Sequence, residues 1–100
     1  MSKLLLAFVF TAFASRLLAP VFYDVREYGA KGDGVAKDTA AVQKAIDAAA
    51  QAGGVVLVPA GRYLCGTIHL KSRITLYLAP GATILASPDN NDFDPYEKLD

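Results

Sequence analysis

The spacing of apolar residues indicates first a short strand and then a helix. In residues 21–28, Val21, Tyr23 and Val25 alternate with mostly charged positions, which is the period of a half-buried strand. The apolar positions that follow adopt a helical period up to about Ala52. The face they form consists of Val42, Ala45, Ile46 and Ala49. Its small side chains let the predicted helix lie close against a neighbouring layer.

Both ends of the predicted helix carry capping residues. Asp38 lies at the N-cap position, where its carboxylate can accept hydrogen bonds from first-turn N–H groups and favour the positive end of the dipole. Gly53 and Gly54 follow the last helical residue and favour the left-handed conformation that ends a helix. The loop before the helix, residues 29–34, is rich in glycine but matches neither phosphate-binding fingerprint. We interpret it as a tight structural turn.

Beyond the helix, the period changes to that of strands. Turn residues separate five predicted strands, at residues 55–58, 62–65, 67–70, 74–78 and 83–86. The stretch Val-Leu-Val-Pro-Ala-Gly at residues 56–61 is echoed by Tyr-Leu-Ala-Pro-Gly at 77–81, so that Pro59 is followed by Pro80 after roughly 20 residues. A repeat of this length is typical of a solenoid, in which each coil stacks on the next.

The predicted solenoid buries one apolar row per strand, and the helix covers its N-terminal end. The side chains that we expect to point inward include Ile68, Leu70, Ile74, Leu76 and Leu78. Two coils cannot bury both ends of such a stack, and a bare edge is prone to pairing. We therefore expect the solenoid to be truncated at residue 100.

The first residues have the pattern of a secretory signal peptide. Lys3 precedes ten largely apolar residues, and an A-x-A cleavage motif ends at Ala14. We predict a signal peptide over residues 1–14, with Ala19 as the alternative end, and a secreted or periplasmic protein; an uncleaved tether is the alternative. The apolar run is shorter than the roughly 20 residues of a membrane-spanning helix, so no stable membrane span is expected.

Composition limits the chain to one small domain and narrows the class of partner. Hydrophobic residues make up 53% of the chain, charged residues 20%, and the net charge is zero. Without a basic excess or a basic run, we expect no binding to nucleic acid. A single cysteine, Cys65, rules out an internal disulfide. We interpret Cys65 as a small buried hydrophobe, with a partner cysteine beyond residue 100 as the alternative.

Several stretches resemble the N-terminal region of glycoside hydrolase family 28, the polygalacturonases. They are Asp24–Gly34, Lys37–Ile46, Gly53–Gly61, Gly61–Ser72, Ile74–Leu78 and Gly81–Leu85. The same pattern occurs across the pectate-lyase-like superfamily, and the resemblance covers about residues 22–90. It implies an all-β fold with an N-terminal capping α-helix, at the start of a right-handed, single-stranded parallel β-helix. We assign residues 21–88 to this cap and its first coils, and residues 89–100 to a solvated acidic loop.

The resemblance implies a full-length protein that hydrolyses galacturonan with inversion of configuration. A protonated carboxylic acid then serves the leaving oxygen while carboxylates on the opposite face activate water, with roughly 6.5–9.5 Å between the groups. The implied partner is a pectin-type polysaccharide, and the implied state is a monomer. Two alternatives use the same scaffold: a non-hydrolytic, carbohydrate-binding tailspike or adhesin, and a pectate lyase or epimerase.

The motifs that carry catalysis in the family do not occur in these 100 residues. Asn-Thr-Asp, Asp-Asp, Gly-His-Gly and Arg-Ile-Lys are all missing, and Arg73-Ile74-Thr75 and Asn91-Asp92 are only near matches. We therefore assign no catalytic, cofactor-binding or metal-binding residue and expect the chain alone to be inactive. The acidic residues after Pro88 also lack the spacing of an EF-hand loop.

The remaining polar residues have ordinary structural interpretations. We expect His69 to face solvent from a strand, and Asp33 to belong to a turn. Lys71 and Arg73 are interpreted as cations that keep an edge strand soluble; the alternative is that they meet the carboxylates of a sugar acid.

Overall fold

A computed structural model describes residues 20–95 of the chain. The predicted signal peptide and residues 96–100 lie outside the described residues. The regular elements are β1 (Phe22–Asp24), β2 (Asp33–Lys37), α1 (Thr39–Ala52), β3 (Gly54–Val58), β4 (Gly61–Cys65), β5 (Ile74–Leu78) and β6 (Ala82–Ala86), with 3-10 helices at Val25–Tyr28 and Asn90–Asp92. The helix ends where the sequence predicts, and Gly53 follows it with φ 76°.

The strands form two parallel sheets whose members alternate along the chain. The first sheet has the order β1-β3-β5 and the second has the order β2-β4-β6. In the first sheet Gly54 pairs with Ile74, and in the second Gly61 pairs with Ala82. Each pair joins residues roughly 20 positions apart, which is the interval predicted from the repeat of the two prolines. The predicted solenoid and its period are confirmed, and the fold is the start of a parallel β-helix.

The core lies between the two sheets and α1. Strand side chains that point inward are fully buried in the middle coil, and so is the predicted apolar face of the helix. The buried hydrophobic residues are Val25, Ala30, Ala41, Val42, Ala45, Ile46, Ala49, Val56, Val58, Tyr63 and Cys65. The Tyr63 hydroxyl donates a hydrogen bond to the Pro59 carbonyl oxygen at 2.8 Å, so this large side chain is buried without leaving a polar group unpaired.

The predicted strand over residues 21–28 is wrong in its second half. The Asp24 carboxylate accepts a hydrogen bond from the Arg26 N–H at 2.9 Å, which turns the chain into a 3-10 helix. Gly29, with φ 105°, closes that helix. Val25 is still buried, as predicted, whereas Val21 is 54% exposed.

Two further differences concern the strands. Strand β2 lies partly inside the predicted glycine-rich turn, and it pairs irregularly with β4, since Asp33 is opposite Arg62 while Lys37 is opposite Leu64. The interval between these two pairs is longer on β2 than on β4, and this bulge removes the alternation by which a strand is recognised. The predicted strand at 67–70 is absent, because this segment lies against a helix.

The predicted inward row is correct at four of its five positions, three of which pack against the core. Ile68, Ile74 and Leu76 pack against the buried core. Leu70 is wrong, because it lies outside any strand and is 62% exposed. Leu78 falls on the inward row, opposite buried Val58, but is 40% exposed, since β5 is the last strand of its sheet within residues 20–95.

Replacing Ile46 by alanine tests how strongly α1 contributes to the core. Ile46 is fully buried, so the substitution is expected to lower the free energy of unfolding by about 2–5 kcal/mol through lost burial and a residual cavity. Urea unfolding followed by circular dichroism measures the change. Lys44→Ala, on the exposed side of the same helix, is the control and should change stability by no more than about 0.5 kcal/mol. Equal effects of the two variants would contradict the assignment of α1 to the core.

Candidate functional site

Each ion pair within residues 20–95 involves a residue from one side of the solenoid. This third side has three layers: α1, the segment 66–73, and the segment 87–95. It is the side that the two sheets leave open, so its layers must be joined without a β-ladder.

The lower two layers are joined by polar groups of the helix. The Thr39 hydroxyl accepts a hydrogen bond from the Gly66 N–H at 2.9 Å. One helical turn later, the Gln43 amide accepts from the His69 N–H at 2.7 Å and donates to the His69 carbonyl at 3.1 Å. A further turn along, Asp47 forms an ion pair with Lys71 at 2.8 Å. These contacts satisfy backbone groups that a neighbouring strand would satisfy elsewhere, which explains why residues 67–70 form no strand.

The upper layer rests on the middle layer at one close contact. The Asp92 carbonyl accepts from the Thr67 N–H at 3.1 Å, and the Asp94 N–H donates to the Thr67 hydroxyl at 2.8 Å. A Cβ at Gly66 would overlap the Asp92 carbonyl, so only glycine allows this approach. Residues 89–94 are therefore attached to the middle layer, although four of these six residues are exposed to solvent.

A cluster of one cation and two carboxylates joins β2 to the upper layer. The Lys37 Nζ lies 3.1 Å from an Asp89 oxygen and 3.0 Å from an Asp92 oxygen. The Ser87 hydroxyl also bonds the Asp92 carboxylate. Hydrogen bonds from Ser87 and then Lys37 lower the pKa of Asp92, and those from the Asn91 N–H and then Lys37 lower the pKa of Asp89. The same contacts raise the pKa of Lys37.

This cluster has the wrong protonation for glycoside hydrolysis. A general acid must hold its proton near neutral pH, which requires a raised carboxyl pKa. The pKa values of Asp89 and Asp92 are both lowered, so both groups are ionised, and Lys37 balances one of the two negative charges. The geometry gives them the role of holding the 87–95 segment against β2.

The remaining candidate residues have structural partners. His69 is exposed, as predicted, but it lies outside any strand and its Nε2 is 2.8 Å from an Asp94 carboxylate oxygen. Lys71 is paired with Asp47 and lowers the pKa of that carboxyl. Arg73 has φ 65° and donates to the Ala50 carbonyl near the end of α1 at 3.3 Å. Neither cation lies in a strand, so the interpretation that they keep an edge strand soluble is wrong. Their partners instead attach the segment 66–73 to α1.

Asp38 has a role that the sequence pattern does not reveal. Its side chain makes no cap hydrogen bond; instead the buried carboxylate accepts from the N–H groups of Lys31 and Gly32, each at 3.0 Å. The predicted cap is therefore wrong in its acceptor contacts. The charge of Asp38 also adds to the main effect of burial in raising the pKa of Cys65 to about 11, so that this thiol stays protonated.

Arg26 is a second residue whose role is missed. Its guanidinium donates to the carbonyls of Lys31 and Ala60, at 3.0 and 2.9 Å, and lies over the ring of Tyr63 at 5.6 Å from the centroid. Arg26 thus joins the loop of the first coil to the turn of the second. A lone arginine in a predicted strand gives no indication of these long-range contacts.

Residues 20–95 contain no group of three histidine, cysteine or acidic residues placed to hold a metal ion. None of the helices in this part of the chain has the length and apolar character needed to cross a membrane.

Replacing Asp38 by asparagine tests the buried carboxylate. The amide offers one acceptor oxygen where two part-buried N–H groups need partners, so one donor loses its bond to the buried side chain and stability should fall by about 1–3 kcal/mol. Chemical denaturation measures the loss. Asp33→Asn is the matched control, because exposed Asp33 accepts from two N–H groups through a single oxygen that asparagine retains. A loss no larger than that of the control would refute the role of Asp38.

Replacing Lys37 by methionine tests the charge cluster through pH. The pKa values of Asp89 and Asp92 are lowered from 3.8, so their contribution is present above 3.8 and is lost as pH falls through the folded-state values. The pKa of Lys37 is raised from 10.5, so its contribution is present below 10.5 and is lost as pH rises through its folded-state value. The free energy of unfolding of the wild type should therefore exceed that of the variant most between pH 3.8 and pH 10.5.

The measurement is the free energy of unfolding across pH, together with the carboxyl pKa values of Asp89 and Asp92 by NMR, which should rise in Lys37→Met. Lys44→Met is the control, since Lys44 forms no ion pair within residues 20–95. Unchanged carboxyl pKa values in Lys37→Met would show that the cluster does not form.

Comparisons with known proteins agree on the type of protein. The family described as rhamnogalacturonase A/epimerase, pectate lyase-like, matches residues 22–92. The exo-poly-alpha-D-galacturonosidase of Dickeya chrysanthemi is 44% identical over 80 residues, which are 80% of this chain and 13% of that protein. Mannuronan C5-epimerase AlgE5 of Azotobacter vinelandii is 43% identical over 82 residues, covering 72% of this chain and 8% of that protein.

Solved structures give the same result. The family 28 exopolygalacturonase of Yersinia enterocolitica has a TM-score of 0.70 at 42% identity and covers 74% of this chain and 13% of its own. The chain thus spans 13% or less of the length of these relatives. The resemblance to glycoside hydrolase family 28 is confirmed, and the chain belongs to the rhamnogalacturonase A/epimerase, pectate lyase-like family.

Proposed function

We propose that this chain is the N-terminal cap and first coils of an exported, monomeric glycoside hydrolase that hydrolyses galacturonan with inversion of configuration. The observation that carries the proposal is the similarity, in sequence and in fold, to two proteins named as exo-acting galacturonan hydrolases. The apolar run after Lys3, followed by an A-x-A motif, supports export.

In this proposal the region serves the enzyme as a foundation. Inverting hydrolysis needs a protonated carboxylic acid and opposing carboxylates roughly 6.5–9.5 Å apart. Within residues 20–95, the two carboxylates that share a cation are both ionised, so they do not meet this need. The reacting groups then belong to later coils of the whole enzyme, and the chain by itself is inactive.

An epimerase is the second candidate, because AlgE5 is 43% identical over a stretch of similar length. Both relatives are named for polyuronides, so recognition of a sugar-acid polymer is common to the two candidates. The reacting groups that separate a hydrolase from an epimerase belong to later coils, so within the cap the two candidates can differ only in how well it fits the coil that follows.

Chimeric enzymes test the proposal. Residues 20–95 of this chain replace the matching segment in the Dickeya galacturonosidase, and in parallel the matching segment in AlgE5. If the chain is the cap of a hydrolase, the first chimera should retain most of the galacturonan hydrolysis of its parent, measured as released reducing ends. The second chimera should lose much of its epimerase activity, because helix and loop contacts to the next coil are mismatched.

Two controls accompany the chimeras. The hydrolase chimera with Asp38→Asn should be less stable and lose activity at lower temperature, which verifies that the grafted cap is folded and needed. The 100-residue chain alone should release no reducing ends from galacturonan. Retention of activity only in the epimerase chimera would favour the epimerase, and hydrolysis by the chain alone would overturn the assignment of an inactive cap.

A further inference from the structure

His69 contacts both neighbouring layers of the third side. It belongs to the middle layer, residues 66–73, and the Gln43 amide of α1 binds both its N–H and its carbonyl, at 2.7 and 3.1 Å. The imidazole Nε2 of His69 lies 2.8 Å from an Asp94 carboxylate oxygen in the upper layer. The backbone of His69 is therefore fixed to the helix below, while its side chain holds the segment above.

The segment 87–95 is attached at two places that differ in chemistry. Its first part is held by the ion pairs of Lys37 with two aspartates. Its last part is held at Asp94, whose N–H donates to the Thr67 hydroxyl at 2.8 Å and whose carboxylate pairs with His69. A lysine keeps its charge well above neutral pH, whereas a histidine gains or loses its charge between about pH 5 and 8. Of the two attachments, only the second therefore changes its charge near neutral pH.

The charged groups that face His69 leave one carboxylate for it to pair with. Asp94 faces it from the upper layer and has no other ion pair within residues 20–95. From α1, Asp47 also faces His69, because the His69 charge adds slightly to the hydrogen bonds from Lys71 and Gln43 that lower the pKa of Asp47. Lys71 of the middle layer pairs with Asp47 at 2.8 Å, so these two charges offset each other. A proton on His69 thus adds an ion pair with Asp94 to the contact between the layers.

This ion pair is weak, but it lies where a weak contact has a measurable effect. The side chains of His69 and Asp94 are 64% and 59% exposed, so water and salt screen their attraction. The last part of the segment belongs to no sheet, and Phe93 and Asp94 are both exposed there. A segment of this kind opens locally at a small cost in free energy, so a small ionic contribution changes how often it is attached.

We propose that His69 and Asp94 form a pH-sensitive attachment of the segment 87–95 to the third side. At about pH 5.5 the imidazolium and the carboxylate form an ion pair, which holds the last part of the segment against the middle layer. At about pH 8 His69 is neutral, the ionic attraction is lost, and residues 93–95 detach more often. The ion pairs of Lys37 persist at both pH values, so the segment loosens at one end only. The inference does not depend on the proposed enzymatic function.

Amide hydrogen exchange of the full chain, measured by NMR, tests the proposal, because the Asp94 N–H reports whether the segment is attached. Its protection factor, which corrects for the intrinsic effect of pH on exchange, should fall about two- to fivefold from about pH 5.5 to 8, the size expected of an exposed ion pair. Protection of the Thr67 N–H, which donates to the Asp92 carbonyl, should change less. His69 is the single histidine of the chain, so no other histidine contributes.

Three variants separate the charge of the attachment from its other properties. His69→Gln keeps a polar side chain without a charge, and Asp94→Asn keeps the shape of the acceptor without a charge. Both should give the lower protection of the wild type at both pH values. His69→Lys carries a positive charge throughout this range and should keep the higher protection at both. Lys44→Gln, at an exposed position of α1, is the control and should leave the pH dependence unchanged.

Added salt gives a further measurement that needs no variant. At about 1 M salt the screening length falls to roughly 3 Å, so the difference in protection between the two pH values should shrink. Circular dichroism verifies that each variant is folded. Equal protection of the Asp94 N–H at both pH values in the wild type would overturn the proposal, and so would a pH dependence in His69→Gln as large as that of the wild type.

Discussion

A stack of parallel coils has a first coil with nothing beneath it, and its apolar interior must be closed there by something other than a strand. In this chain the closure is an α-helix inserted in the first coil, so that Phe22 pairs with Val55 across an interval longer than any later coil needs. The helix satisfies its own backbone hydrogen bonds and therefore presents no edge of its own. Its small apolar face then covers the core at close range.

The helix is held by polar contacts at its start and along its length. At its start, the buried Asp38 carboxylate binds the loop that leads from β1 to β2, which fixes the first coil relative to the helix. Along its length, Thr39, Gln43 and Asp47 bind the next coil at one-turn intervals. The helix therefore joins two successive coils on the side where no sheet does so, and its position sets the start of the solenoid.

The sequence predicts elements well where local patterns and tertiary contacts agree. Strands β3 to β6 have alternating side chains and clear turn residues, and the helix has an apolar face and a glycine stop, so their bounds are predicted to within a residue or so. Strand β2 is missed because its bulge removes the alternation. The segment at 67–70 alternates like a strand, but Gln43 of the helix takes the place of the strand neighbour, and no local pattern indicates that.

The roles of polar residues are harder to predict than the elements. An aspartate before a helix fits an N-cap, yet the Asp38 carboxylate accepts hydrogen bonds from a loop earlier in the chain. Capping the helix and binding the loop both suit an aspartate at this position, so the sequence does not distinguish them. Likewise, the acidic residues after Pro88 suggest solvation by composition, although Lys37, far away in sequence, binds two of them through the stacking of coils.

The constant register between coils has a consequence for folding. Each strand contacts a partner one coil away, whatever the length of the solenoid, so additional coils add contacts of nearly unchanged sequence separation. The relative contact order therefore decreases as such a chain becomes longer, and each new coil needs only the closure of a short loop onto a surface that already exists. A long solenoid can be assembled in this way by repeated local steps, and within residues 20–95 the helix-capped first coil is the step that requires a longer closure.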